Sequence, residues 1–144
     1  MGRPADLSRT PRPPGPLDLR LKAVPTSVTE ARQAVARYAA DTGADPADVE
    51  LAVAEAVANA VLHAYPGEAT GTVTLQASLE LDGLIVLVTD DGAGMRPNPE
   101  GAGLGLGLAL IGSLTASFTI SEPAVGGTSL RMCFPLAQKE PGGG

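Results

Sequence analysis

The chain contains no tryptophan, two tyrosines and two phenylalanines, so aromatic residues make up only 3% of its 144 positions. Proteins that grip single-stranded nucleic acid need aromatic platforms for the bases, and this composition does not supply them. Basic residues are scarce as well. Lys22 and Lys139 are the only lysines, the formal net charge is −6, and no run of lysine or arginine occurs. This argues against a phosphate-tracking groove and against contact with an anionic membrane. A single cysteine, Cys133, leaves no partner for an intrachain disulfide and no thiol cluster for a metal. Its place in an alternating apolar run predicts a buried core thiol. No apolar stretch approaches the roughly 20 residues that a membrane span requires. The opening "MGRPADLSRTPRPPGP" has charge and proline where a signal peptide has an apolar segment. A cytoplasmic protein is the expectation.

What is present is enough for one folded domain: 44% of the residues are hydrophobic. Residues 1–16 and 137–144 are proline-, glycine- and polar-rich, and read as disordered tails around a domain spanning 17–136. Within it, "LDLRLKAV" alternates like an edge strand that Pro25 ends. A helical pattern follows, with Ser27 and Glu30 spaced as a capping box and Gly43 at the C-cap. The clearest element is "DPADVELAVAEAVANAVLHAYPG", with Asp45 as cap, Pro46 in the first turn and Pro66-Gly67 as terminator. "TVTLQASLEL" and "LIVLVTD" flank the turn dipeptide Asp82-Gly83. After a glycine-rich stretch come the helical "LALIGSLTA" and the strands "SFTISEP" and "TSLRMCFPL", joined around Gly126-Gly127. The order β-α-α-β-β-α-β-β predicts an α+β fold: a two-layer sandwich, with a mixed, mostly antiparallel sheet and helices on one face.

Three groups of residues stand out chemically. Glu55, Asn59 and His63 follow i, i+4, i+8 spacing and form one stripe on the second helix, framed by Ala52, Ala56, Ala58 and Ala60. Such a stripe is either an ordinary solvated face or a polar site to which small neighbours give a bulky ligand access. In "VTDDGAGM", Asp90 ends an apolar strand, followed by Gly92, Gly94 and Met95. An ordinary Asp-Gly turn accounts for this segment. So does a carboxylate placed to accept from an exocyclic amine, with glycines that let a flat ring approach and Met95 as an apolar wall.

The third group is "GAGLGLGLALIG", residues 101–112. Repeated glycine weakens a strand. A Walker A loop needs a lysine after its last glycine, and none is near. A dinucleotide fingerprint needs glycine where Leu110 stands. What remains is a glycine loop that opens a helix, whose free amide hydrogens can face an anion.

Taken together, Glu-x-x-x-Asn on a helix, Asp-x-Gly-x-Gly after a strand and Gly-x-Gly opening a helix recur in this order in the GHKL ATPases. The segments "EAVANAVLHAY", "DDGAGM", "GLGLALI" and "GGTSL" resemble more closely the bacterial anti-sigma-factor serine kinases, over roughly residues 17–136. That resemblance implies that Asn59 ligands a magnesium ion bridging the phosphates of ATP. Glu55 would be the general base for a partner's serine hydroxyl. Asp90 would hydrogen-bond the adenine amino group, with Gly92, Gly94 and Met95 beside the base and Thr128 nearby. Gly105, Leu106 and Gly107 would form the phosphate loop. His63 matches a family position and reads as a capping or packing residue.

The implied partners are a sigma factor and an anti-anti-sigma protein bearing the target serine, and the resemblance also allows a homodimer. The chain departs from the family at the ATP lid. Only "RPNPEGAG" separates Met95 from Leu104, with Arg96 its sole cation. Nucleotide binding is therefore the firmer expectation. Two alternatives to the kinase stay open: an ATP-liganded regulator with little catalysis, and a histidine-kinase catalytic domain. The latter lacks a preceding helical hairpin with a phosphoacceptor histidine.

Overall fold

A computed structural model describes residues 15–63, 71–92, 102–123 and 126–137. The elements are β1 (Leu17–Lys22), α1 (Thr26–Ala40), α2 (Pro46–His63), β2 (Thr72–Glu80), β3 (Gly83–Asp90), α3 (Ala102–Leu114), β4 (Ser117–Ser121) and β5 (Thr128–Phe134). Most of the two predicted tails, 1–14 and 138–144, lies outside the described residues.

The strands form one sheet in the order β1-β2-β3-β5-β4, and every neighbouring pair is antiparallel. The expected mixed sheet is corrected here. The helical connection from β3 through α3 to β4 does give two strands running the same way. Strand β5 pairs with both and stands between them, so no parallel ladder forms. Period-2 alternation sorts the residues between the faces. Leu21, Val73, Leu75, Leu84, Val86, Val88, Leu130, Met132 and Phe134 enter the core under the helices. Asp18, Arg20, Gln76, Thr119 and Arg131 point the other way and are exposed. Cys133 is buried, as its apolar run predicts.

Helix α2 is the central packing element because its apolar stripe is wide. Val49, Ala52, Val53, Ala56, Val57 and Ala60 are all fully buried. Its start follows the sequence reading: Asp45 Oδ1 accepts from Ala47 N at 2.9 Å and Asp48 N at 3.5 Å, and Pro46 is the first helical residue. Asp45→Ala should cost about 1 kcal/mol of unfolding free energy, read as a lower urea midpoint with an unchanged slope. An Arg32–Glu50 ion pair at 2.9 Å links α1 to α2 on the surface, where such pairs contribute little. No helix among the described residues is long and apolar enough to cross a membrane.

Local expectations change at the caps of α1 and at the hairpin turn. Helix α1 has Asp41 at its C-cap, two residues before the expected Gly43. The capping box at Ser27 does not form: α1 begins at Thr26, Ser27 is buried within it, and no side chain caps the end. Pro25 already holds helical angles, φ −57 and ψ −34, so the helix starts before Ser27 can act. The β2–β3 loop is Leu81-Asp82, since Glu80 pairs with Gly83. Gly83 serves a different need. With φ 145 it lies against the backbone carbonyl of Phe134 in the neighbouring strand, where a Cβ would collide.

Candidate functional site

The chemistry-bearing residues gather in two clusters. The first lies between α2 and α3. Asn59, on α2, is only 3% exposed, and one turn earlier Glu55 is half-buried. The solvated-face reading of the stripe is thereby removed for Asn59. Its Nδ2 has no hydrogen-bond partner among the described residues. A buried amide group costs roughly 1–3 kcal/mol unless water or a ligand satisfies it. His63 is the last residue of α2, and its predicted packing role falls on a side chain outside the description.

Gly107 faces these two side chains from α3. The sequence pattern placed the glycines before a helix starting near Leu108, yet α3 starts at Ala102. Amides without an intrahelical acceptor belong to the first turn, which reaches Gly105; Leu106 and Gly107 lie in the second. The Gly107 amide is thus used within the helix and is not free for an anion. The physical reason is packing. Leu108, Ile111 and Leu114 sit at helical spacing against the core and hold the run helical despite its glycines. A glycine inside a helix costs about 1 kcal/mol relative to alanine, which a close approach can justify.

The second cluster lies where β3 ends and β5 begins. Asp90 is 1% exposed and continues the core-facing row of Leu84, Val86 and Val88. Its Oδ1 accepts from Gly92 N at 3.0 Å, and the Thr128 backbone amide also donates to the carboxylate. Oδ2 has no partner among the described residues. Burial is the main cause that pushes the Asp90 carboxyl above its ordinary range. The neighbouring Asp91 charge adds to it, while the two backbone hydrogen bonds work the other way. Thr128 is buried directly opposite Asp90 in the ladder. Gly94 and Met95 lie outside the described residues, as does the rest of the short segment before α3.

The sequence reading missed two supports of this cluster. Gly127, at φ 84, brings the start of β5 so close to the Asp90 carbonyl and the Asp91 Cα that a Cβ would clash. Asp91 Oδ1 accepts from Thr72 N at 3.0 Å and ties the loop after β3 to the start of β2. The glycine pair was visible as a turn, but its second role needs the neighbouring strand. Nothing in the sequence distinguishes Asp91 from an ordinary turn residue.

Buried side-chain atoms without partners therefore occur in both clusters; the third among the described residues is the Tyr38 hydroxyl on α1. Across the whole chain, the sequence profile described as "Histidine kinase-like ATPase domain" matches residues 21–134, which contain both clusters. The chain belongs to that family. It accordingly carries the family's ATP-binding, kinase-like domain, and the α+β architecture agrees. An anti-sigma F factor of Clostridium acetobutylicum is 36% identical over 84 residues, covering 55% of this chain and 57% of that protein. The serine-protein kinase RsbW of Listeria innocua is 34% identical over 79 residues, 53% of this chain and 50% of that protein. An anti-sigma F factor of Clostridium beijerinckii is 36% identical over 70 residues, 45% and 48% of the two chains. The chain spans about half the length of each of these relatives.

Proposed function

We propose that this protein is an ATP-binding regulator of the anti-sigma-factor kind. In this reading it phosphorylates a serine on an antagonist protein and sequesters a sigma factor, in the cytoplasm. The observation that carries the nucleotide part is the pair of buried polar atoms without partners among the described residues, Asn59 Nδ2 and Asp90 Oδ2. The relatives named as anti-sigma factors and as a serine-protein kinase support the regulatory part.

The residues fit a nucleotide with magnesium. Turning the Asn59 amide over breaks no hydrogen bond at Nδ2 and presents Oδ1, a hard oxygen ligand, at the same place. Among the described residues no group of three or more acidic, histidine or cysteine side chains could hold a metal alone. Magnesium shared between one side chain and substrate phosphates needs no such cage. When bound, the ion neutralises phosphate charge. Asp90 Oδ2, as carboxylate, accepts a hydrogen bond from the exocyclic amine of adenine. Glu55, one turn from Asn59 and half-buried, would take the proton of the serine hydroxyl as that oxygen bonds to the γ-phosphorus of ATP and the bond from that phosphorus to the β-phosphate oxygen breaks, releasing ADP.

A second reading, nucleotide binding with little transfer, is favoured by the brevity of "RPNPEGAG" and its single cation, Arg96. Both readings require nucleotide binding, and calorimetric titration with ATP, with and without magnesium, tests it. Absence of heat in both titrations would sink them together. Asp90 supplies a pH signature. Its carboxyl is raised by burial, so affinity for ATP should fall as pH drops through that raised value.

The sign for stability is opposite. The fold holds the proton on Asp90 more tightly than the unfolded chain does. Stability is therefore lost as pH rises from the ordinary aspartate range through the raised one. Asp90→Asn should remove that loss and raise the melting temperature at neutral pH. It should weaken ATP binding about tenfold, because one acceptor on adenine's amine becomes a donor.

A further inference from the structure

Helix α3 does more here than begin after a glycine loop. Gly107 is buried in its second turn. A Cβ built on it would stand 2.6 Å from Glu55 Oε2 and 2.7 Å from Asn59 Nδ2, inside the 3.0 Å that real Cβ atoms respect. Asn59 Nδ2 has no hydrogen-bond partner among the described residues. At Nδ2, then, packing rather than a bond defines where the amide sits.

We propose that Gly107 is a positioning residue, whose bare Cα is the seat on which the Glu55 carboxylate and the Asn59 amide are set side by side. The proposal rests on the roles given above to Glu55 and Asn59, and it replaces the phosphate-amide role expected for Gly107. The two side chains differ in their freedom to yield. Glu55 is half-buried and contacts the seat with the end of a flexible chain, so it can swing toward solvent. Asn59 is short and 3% exposed, and it yields only if α2 and α3 move apart. A methyl group at position 107 therefore separates the base from the metal ligand. The Asp90 cluster, built from β3 and β5, takes no part in this contact.

The test is a thermal and calorimetric cycle on the full chain. Gly107→Ala should lower the melting temperature in the wild-type background. In the Asn59→Ala background, where the amide is gone and Glu55 can swing aside, it should raise it, because alanine is the better helix former. In the wild-type background the substitution should weaken magnesium-ATP binding at least tenfold and leave adenosine binding within twofold. A general loosening of the domain would reduce both ligands alike. A melting temperature raised by Gly107→Ala in both backgrounds, or equal losses for adenosine and magnesium-ATP, would overturn the proposal. If the wild type binds no magnesium-ATP, the nucleotide reading fails, and the change of sign in the thermal cycle still decides whether Gly107 is the seat.

Discussion

Glu55→Gln should lower phosphoryl transfer to a serine-bearing antagonist domain by a factor of about 10² to 10⁴, the range set by removing a general base. ATP affinity should stay within about twofold, since glutamine keeps the size of the side chain and most of its contacts. Glu55 is half-buried beside Gly107 and one helical turn from Asn59, so an amide in its place fits without rearrangement. The measurement is label transfer from ATP, wild type against variant, with binding followed in parallel. Equal labelling by both proteins would take Glu55 out of the role of base. Labelling by neither, with a partner that demonstrably binds, would establish the binding-only regulator.

Asn59→Ala should remove about 100-fold of the magnesium-dependent affinity for ATP, roughly 2.7 kcal/mol, while binding in the presence of a chelator changes little. Stability should not fall with it. The amide is buried and its nitrogen has no partner among the described residues, so deleting it relieves a desolvation penalty. A variant that loses nucleotide affinity while melting at the same or a higher temperature marks a residue kept for a ligand rather than for the fold. A large drop in melting temperature, with affinity unchanged, would assign Asn59 to packing instead.

Much of the architecture was legible because it rests on short-range rules. The alternation in β1, β2 and β5 predicts their faces, and Asp45-Pro46 predicts the start of α2 to the residue. The α3 boundary was not legible. Alternating glycine and leucine has no helical period, and glycine disfavours the helix, yet core contacts of Leu108 and Ile111 extend it back to Ala102. The turn at Leu81-Asp82 was displaced by one residue for a similar reason. Gly83 is glycine both for its backbone just after the turn, at φ 145, and for the close approach of Phe134 in the next strand.

By itself the sequence determined which residues could be functional. The i, i+4 spacing of Glu55 and Asn59 puts both on one side of a helix whatever the rest of the chain does, because 3.6 residues make a turn. The strand ending in Asp90 is equally local. Tertiary structure alone decided what those residues experience. It buries Asn59 against a second helix, leaves one oxygen of Asp90 without a partner among the described residues on the core-facing side of β3, and turns Gly107 from a donor of amide hydrogens into a surface without a side chain. Burial, missing partners and close approach depend on segments far apart in the chain, and no local pattern of residues encodes them.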